Sequence, residues 1–170
     1  LLGALGATAA SQGTMNNLLF GNDAYQYYET ICGGSGAGPG FDGASGVHTH
    51  MTNTRITDPE VMEMTYPFRI EQFSLREGSG GEGRYTGGQG VVRTIRVLSD
   101  TVCTLVSSSR KIAPFGLNGG GDGAPGKQWI EHADGRCQSV GGIASVDMKA
   151  GEAITIETPG GGGYDAFTGK

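Results

Sequence analysis

The chain has 170 residues, of which 33 are glycine and 17% are charged, with a formal net charge of −5 at pH 7. The basic residues are scattered, so no cationic surface for nucleic acid or an anionic membrane is expected. There is no apolar run of ~20 residues and no n-region/h-region pattern, so neither a helical membrane span nor a secretory signal is expected within these residues.

The glycines follow no collagen-like period, and Val, Ile, Leu, Phe and Tyr recur throughout. This describes an ordered, turn-rich, mainly β protein. Leu1 to Ala10 is small and apolar and reads as a short N-terminal helix weakened by Gly3 and Gly6. Leu18-Leu19-Phe20, the turn Gly21-Asn22-Asp23 and the aromatic run Ala24 to Ile31 read as two short strands. Gly33 to Gly46 is a long glycine loop, and Val47 to Arg55 is expected to be extended. Asp58 is a candidate N-cap, with Pro59 at the first helical position. Tyr66 to Arg76 alternates with a slip near Gln72 that predicts a β-bulge. Gly78 to Gly90 is turn or loop. Val91 to Leu98 and Thr101 to Ser107 read as a hairpin across Ser99-Asp100. After the glycine-rich Phe115 to Gly126, Lys127 to His132 and Cys137 to Val140 flank a turn, and Ile143 to Met148 with Ala153 to Glu157 reads as a last hairpin. The spacing predicts glycine-rich antiparallel sheets, as a sandwich or barrel, with no internal domain boundary. Arg69, Arg76, Arg84, Arg93 and Arg96 are expected on solvated strand faces.

Cys32, Cys103 and Cys137 are odd in number, far apart and without CxxC spacing. They read as buried free thiols in a reducing compartment, the cytoplasm. The chain opens Leu-Leu-Gly without an initiator Met, and a piece of a longer polypeptide is expected.

Several motifs point to chemistry. Gly78 to Gly83 and Gly121 to Gly126 both fit GxGxxG, but neither opens a helix after a strand as a dinucleotide fingerprint must. Gly121 to Lys127 resembles a phosphate loop, yet Gln128 stands where Ser or Thr would hold magnesium. His48-x-His50 is sharper. On a strand the two imidazoles face one side and could converge on a metal or a substrate group, with Asp42, Asp58 or Glu29 as a third ligand; hydrogen-bonded loop histidines are the alternative. Glu29 lies in an aromatic strand, where it is either a general acid or base or the partner of an arginine. Cys32 reads as structural, because no cation adjoins it in sequence. Ser109-Arg110-Lys111 is a small basic cluster, read as a solvated strand end, a subunit contact or a phosphate contact.

Longer motifs carry a resemblance. Gln12-Gly-Thr-Met-Asn16-Asn17, Tyr28-Glu29-Thr-Ile, Asp42-Gly43, His48-Thr-His50-Met-Thr-Asn53-Thr and Tyr66-Pro67 occur in order. They are followed by Arg110-Lys111-x-Ala-Pro-Phe-Gly-Leu117, Asp122-Gly-Ala-Pro-Gly126 and Glu157-Thr-Pro-Gly-Gly-Gly-Gly-Tyr164. Together they resemble the hydantoinase B/5-oxoprolinase family over nearly the whole chain.

The resemblance implies a B component working with an ATP-using A-type subunit or domain. The A part phosphorylates the amide oxygen of a cyclic amide such as 5-oxoproline or a hydantoin, and the B part supports hydrolytic ring opening. Family B components are much longer, and residues 1–170 resemble a single β-rich C-terminal region of one. The resemblance places any divalent metal upstream of this segment, with none held here, and ATP on the partner component. It implies contacts with the N-terminal remainder of the B component, an oligomer, and neither nucleic acid nor membrane. The expected pocket residues are Glu29, His48 and His50 for catalysis, with Asn53, Asn16 and Arg55 binding substrate. The alternatives are a B-like subunit of an acetone- or acetophenone-type ketone carboxylase, in which the B-like subunit carries a metal, and a non-catalytic scaffold module.

Overall fold

A computed structural model describes residues 1–166. Among them, nine strands form two antiparallel sheets packed face to face, with no closed barrel. The first sheet has the order β2-β1-β5-β8, from β1 (Asn16–Gly21), β2 (Gln26–Thr30), β5 (Thr101–Ser107) and β8 (Ile143–Met148). The second has the order β3-β4-β9-β6-β7, from β3 (Phe68–Arg76), β4 (Gly90–Val97), β6 (Lys127–Glu131), β7 (Cys137–Ser139) and β9 (Ala153–Glu157).

The core follows from period-two alternation. In β1, Asn16, Leu18 and Phe20 are buried; in β4, Val91, Arg93, Ile95 and Val97 are. Leu18, Phe20, Phe68, Ile95, Leu105, Ile130, Met148, Ile154 and Ile156 meet between the sheets. Tyr25, Tyr27, Tyr66, Phe68 and Phe20 close one end as an aromatic cluster with ring centroids 4.6–6.1 Å apart.

Several local expectations hold. β1 and β2 pair across the Gly21–Asp23 turn, and β6 and β7 across Ala133–Arg136. The β3 register shifts between Ile70 and Gln72. The α-helix α1 (Pro59–Thr65) starts at Asp58, whose Oδ1 accepts from Glu60 N at 3.0 Å, with Pro59 in the first turn.

Other expectations are corrected. The one helix among the described residues is α1; Leu2 to Gly6 form turns, and Gly6 at φ +67° ends the α-type bond from Leu5 N to Leu1 O. β4 and β5 are not a hairpin, nor are β8 and β9: in each pair the two strands lie in opposite sheets. Ser99-Asp100 has no glycine or asparagine for the left-handed backbone of a tight hairpin turn. The edges of β4 are filled instead by β3 and β9. Both crossings meet at Asp100, whose carboxylate accepts from Lys149 Nζ at 2.8 Å and Ala150 N at 3.0 Å. Arg93 is fully buried rather than solvated, and Cys137 is exposed while Cys32 and Cys103 are buried.

The glycine-rich stretches are a packed layer rather than slack loops. Their backbones hydrogen-bond to one another: Gly88 N to Ser35 O (2.9 Å), Gly161 N to Gly88 O (2.9 Å), Gly162 N to Ala10 O (2.8 Å) and Gly163 N to Gly121 O (2.9 Å). A Cβ on Gly161 would sit 1.8 Å from the Ser35 carbonyl oxygen, so only hydrogen fits. Both GxGxxG matches lie in this layer, and neither opens a helix.

Candidate functional site

β2 alternates, so Tyr27 and Glu29 point into the sandwich. Arg93 comes from β4 of the opposite sheet. Its Nε donates to Glu29 Oε1 at 2.7 Å and its Nη2 to Glu29 Oε2 at 3.0 Å, with both side chains almost free of solvent. Tyr27 Oη donates to Glu29 Oε2 at 2.8 Å, and burial together with the Glu29 charge raises the Tyr27 pKa. The Arg93 guanidinium also lies 5.1 Å from the Phe73 ring centroid and donates to Met62 Sδ at 3.5 Å. Its Nη1 is buried without a partner. Of the two sequence readings of Glu29, the geometry realises the arginine pairing.

The segment after the first glycine stretch lies against the start of the chain. Val47 bridges Gly33, Thr49 Oγ1 donates to Gly13 O at 3.3 Å, and Thr52 Oγ1 donates to Thr14 O at 3.2 Å. The extended run ends at His50, which takes φ 58° as the chain turns. His48 and His50 therefore do not repeat along one strand face. His48 is partly buried, its Nδ1 has no partner, and desolvation lowers its pKa. His50, Asn53 and Arg55 are exposed. Among the described residues, no three His, Cys, Asp or Glu side chains stand close enough to share a metal ion.

Asn16 belongs to a buried amide network. Its Nδ2 donates to Gln12 Oε1, and its Oδ1 accepts from Arg110 Nη1 at 2.7 Å. Gln12 Nε2 donates to Val47 O at 3.2 Å, which ties this network to the residue before His48. Arg110 Nε donates to Gln128 Oε1 at 2.7 Å, and Gln128 Nε2 to Gly141 O at 2.7 Å. Asn16 and His48 thus sit on adjoining segments, while Glu29 is engaged across the core and Asn53 and Arg55 face solvent. Cys32 carries no sign of an activated thiol, since burial raises its pKa.

The profile of the hydantoinase B/oxoprolinase family matches residues 1–166. The chain belongs to the hydantoinase B/oxoprolinase family. Among curated relatives, 5-oxoprolinase 1 of Arabidopsis thaliana is 50% identical over 96% of this chain and 13% of its own length. The 5-oxoprolinase of Dictyostelium discoideum is 48% identical over 96% of this chain and 13% of its own length. The B-type subunit of a putative D-/L-hydantoinase from Pseudomonas sp. (strain NS671) is 32% identical over 84% of this chain and 25% of its own. The chain thus spans only a small part of these relatives. Two solved structures share the fold. The ATP-dependent caprolactamase from Pseudomonas jessenii has a TM-score of 0.75 at 22% identity, covering 94% of this chain and 30% of that one. Nucleotide-free acetone carboxylase has a TM-score of 0.76 at 17% identity, covering 92% and 26%.

In this member of the hydantoinase B/oxoprolinase family, the sequence does not single out Tyr27 or the burial of Arg93. It marks Gln12 only as the start of a family motif and Gln128 only as a departure from a phosphate loop. The inward phase of β4 carried one available signal: Arg93 shares the spacing of Val91, Ile95 and Val97. An arginine in that phase requires a buried carboxylate. Arg110 reads from the sequence as part of a basic cluster, a solvated strand end, a subunit contact or a phosphate contact; no local pattern announces that Gly126 and Gly142 make room for its burial. A Cβ at Gly126 would meet the Arg110 Cζ at 2.6 Å.

Proposed function

We propose that residues 1–170 are a β-rich C-terminal region of a longer B component in an ATP-dependent cyclic amidohydrolase of the 5-oxoprolinase/hydantoinase type, and that this component supports ring opening of an amide phosphorylated on an A-type subunit or domain. The observation that carries this reading is the 50% identity to a 5-oxoprolinase across nearly the whole chain. The Pseudomonas relative is named as one subunit of a hydantoinase, which favours a separate partner component. ATP then acts on that partner, and any divalent metal belongs to the upstream part of the B component. The enzyme works in the cytoplasm; among the described residues no helix is long and apolar enough to cross a membrane.

Phosphorylation of the amide oxygen makes the ring carbon electrophilic: water adds there, the C–N bond breaks as the departing nitrogen is protonated, and hydrolysis of the resulting acyl phosphate releases phosphate. The B component therefore has to position water, take up its proton and stabilise developing charge. His48 suits the proton step best. Its lowered pKa keeps the imidazole neutral near pH 7; its Nδ1 is closed off from solvent, which leaves Nε2 as the nitrogen for the water's proton. Asn16 and Gln12 orient the neighbouring backbone, and His50, Asn53 and Arg55 offer exposed groups to substrate. The Glu29–Arg93 pair holds β2 against β4, so Glu29 acts on the site by position.

A second reading, a scaffold module without catalytic residues, is favoured by that same pair, which takes up the most deeply buried carboxylate among the candidates. Turnover of His48→Ala and His50→Ala variants of the complete enzyme separates the two readings. Loss of ring opening at normal assembly supports catalysis, and unchanged turnover in both supports the scaffold.

A further inference from the structure

A cleft of about 690 Å³ opens where the two sheets part, between the β5–β6 connection and the turn from β7 to β8. Its volume is that of a small-molecule site. Arg110, Lys111 and Lys127 line it, with Gln128, Gly141 and Gly142.

The charge here is unbalanced. Glu157 Oε2 accepts from Arg76 at 2.7 Å and lies 3.4 Å from Lys127. Arg110 and Lys111 have no ion-pair partner among the described residues. Arg110 is the unusual one. Amide and carbonyl oxygens of Gln128, Asn16 and Ser108 take its Nε and Nη1 at 2.7 Å, whereas Nη2 is buried without a partner. Burial, together with repulsion from Arg76, lowers its pKa to about 10. A largely desolvated guanidinium held by neutral groups costs free energy unless an anion completes it. Arg93, the other buried arginine, has its own carboxylate in Glu29.

The rest of the lining supplies donors. Lys111 is exposed, and the Lys127 side chain is 61% exposed. The backbone N–H groups of Gly141 and Gly142 donate no hydrogen bond among the described residues. Consecutive free amides beside ammonium groups bind oxyanions well. Nη2 is closed off from solvent, so Arg110 acts on the cleft mainly through its field, and the direct donors are the lysines and the glycine amides.

We infer that this cleft is an anion-binding site for a carboxylate or phosphate group of a small molecule, with Lys111, Lys127 and the Gly141–Gly142 amides as its donors over the buried Arg110. Its recognition does not depend on the ring-opening reading.

The test is equilibrium dialysis of the full chain against radiolabelled inorganic phosphate and, separately, acetate, at fixed ionic strength in chloride. Arg110→Met risks unfolding, so the informative variant is Lys111→Gln/Lys127→Gln, in which both altered side chains are exposed. The expected result is one saturable equivalent of anion on the wild type, weakened at least tenfold in the double variant at an unchanged melting temperature. Tighter binding of phosphate assigns a phosphate ligand, and tighter binding of acetate assigns a carboxylate. Absence of saturable binding for both probes, or affinities the double variant does not change, overturns the inference. Neither readout involves ATP or turnover, so a failed anion site is distinguishable from a failed amidohydrolase.

Discussion

Arg93 Nε reaches across the sandwich to Glu29 Oε1 at 2.7 Å, joining the edge strand β2 of one sheet to the second strand of the other. Breaking one side of such a pair leaves an uncompensated buried charge, at a cost of about 3–5 kcal/mol. Arg93→Met and Glu29→Leu should each destabilise the protein by that order in denaturant unfolding. The Glu29→Leu/Arg93→Met double variant should recover most of the loss. A double variant as unstable as the sum of the singles would show that the pair is not the unit of stability.

The glycine layer makes a sharper stability prediction. Gly161→Ala drives a Cβ to 1.8 Å from the backbone oxygen of Ser35, with no flexible side chain to yield. The expected loss is about 3 kcal/mol or more. Gly135→Ala meets open space, and its strain is only that of φ +80°, about 1–2 kcal/mol. Melting temperatures of the two variants should keep that order.

His132 links the ends of β6 and β9. Its Nδ1 lies 2.6 Å from Glu152 Oε1 and its Nε2 lies 3.0 Å from Gln138 Oε1. The Glu152 bond, then that to Gln138, raises the His132 pKa above its ordinary value. A group whose folded pKa is raised contributes stability below its unfolded pKa, near 6.5, and loses it as pH rises through the folded value. Wild type should therefore lose stability over the pH range just above ~6.5 relative to His132→Gln. Parallel pH–stability curves would contradict this.

His48 carries the opposite shift, because burial lowers its pKa. Its NMR titration midpoint should lie below ~6.5. If it takes up the proton of the attacking water, kcat/KM of the complete enzyme should be level near pH 7 and fall only on the acid side. His48→Ala should then lower it by about 10²-fold or more. A pH profile unchanged by the substitution would remove His48 from the proton step.

Much of the fold was legible where the signal is local. The Asp58 cap, the slip at Gln72 and the turns at Gly21–Asp23 and Ala133–Arg136 depend on residues within a few positions of one another, and all four stand in the structure. The failures share a cause. Alternation in β4 and β5 marks each as half-buried but does not say which sheet it joins, and that choice is made by strands far away in sequence. The glycine stretches suffer the same limit. Composition marks them as loops, while their order comes from neighbours such as Ser35 against Gly161. At the candidate site, the pattern picked out Glu29 and His48 but not their surroundings. The Arg93 partner and the buried amides of Gln12 and Gln128 arise only once the sheets are stacked.

The measurement that bears most directly on the proposed activity is ATP-dependent turnover of 5-oxoproline by the complete polypeptide carrying this chain, with its A-type partner, with and without bicarbonate and a ketone. The amidohydrolase reading predicts glutamate release that needs ATP and proceeds without bicarbonate. Absence of ring opening, with ketone consumption that requires bicarbonate, would contradict it and place the protein with the ketone carboxylases.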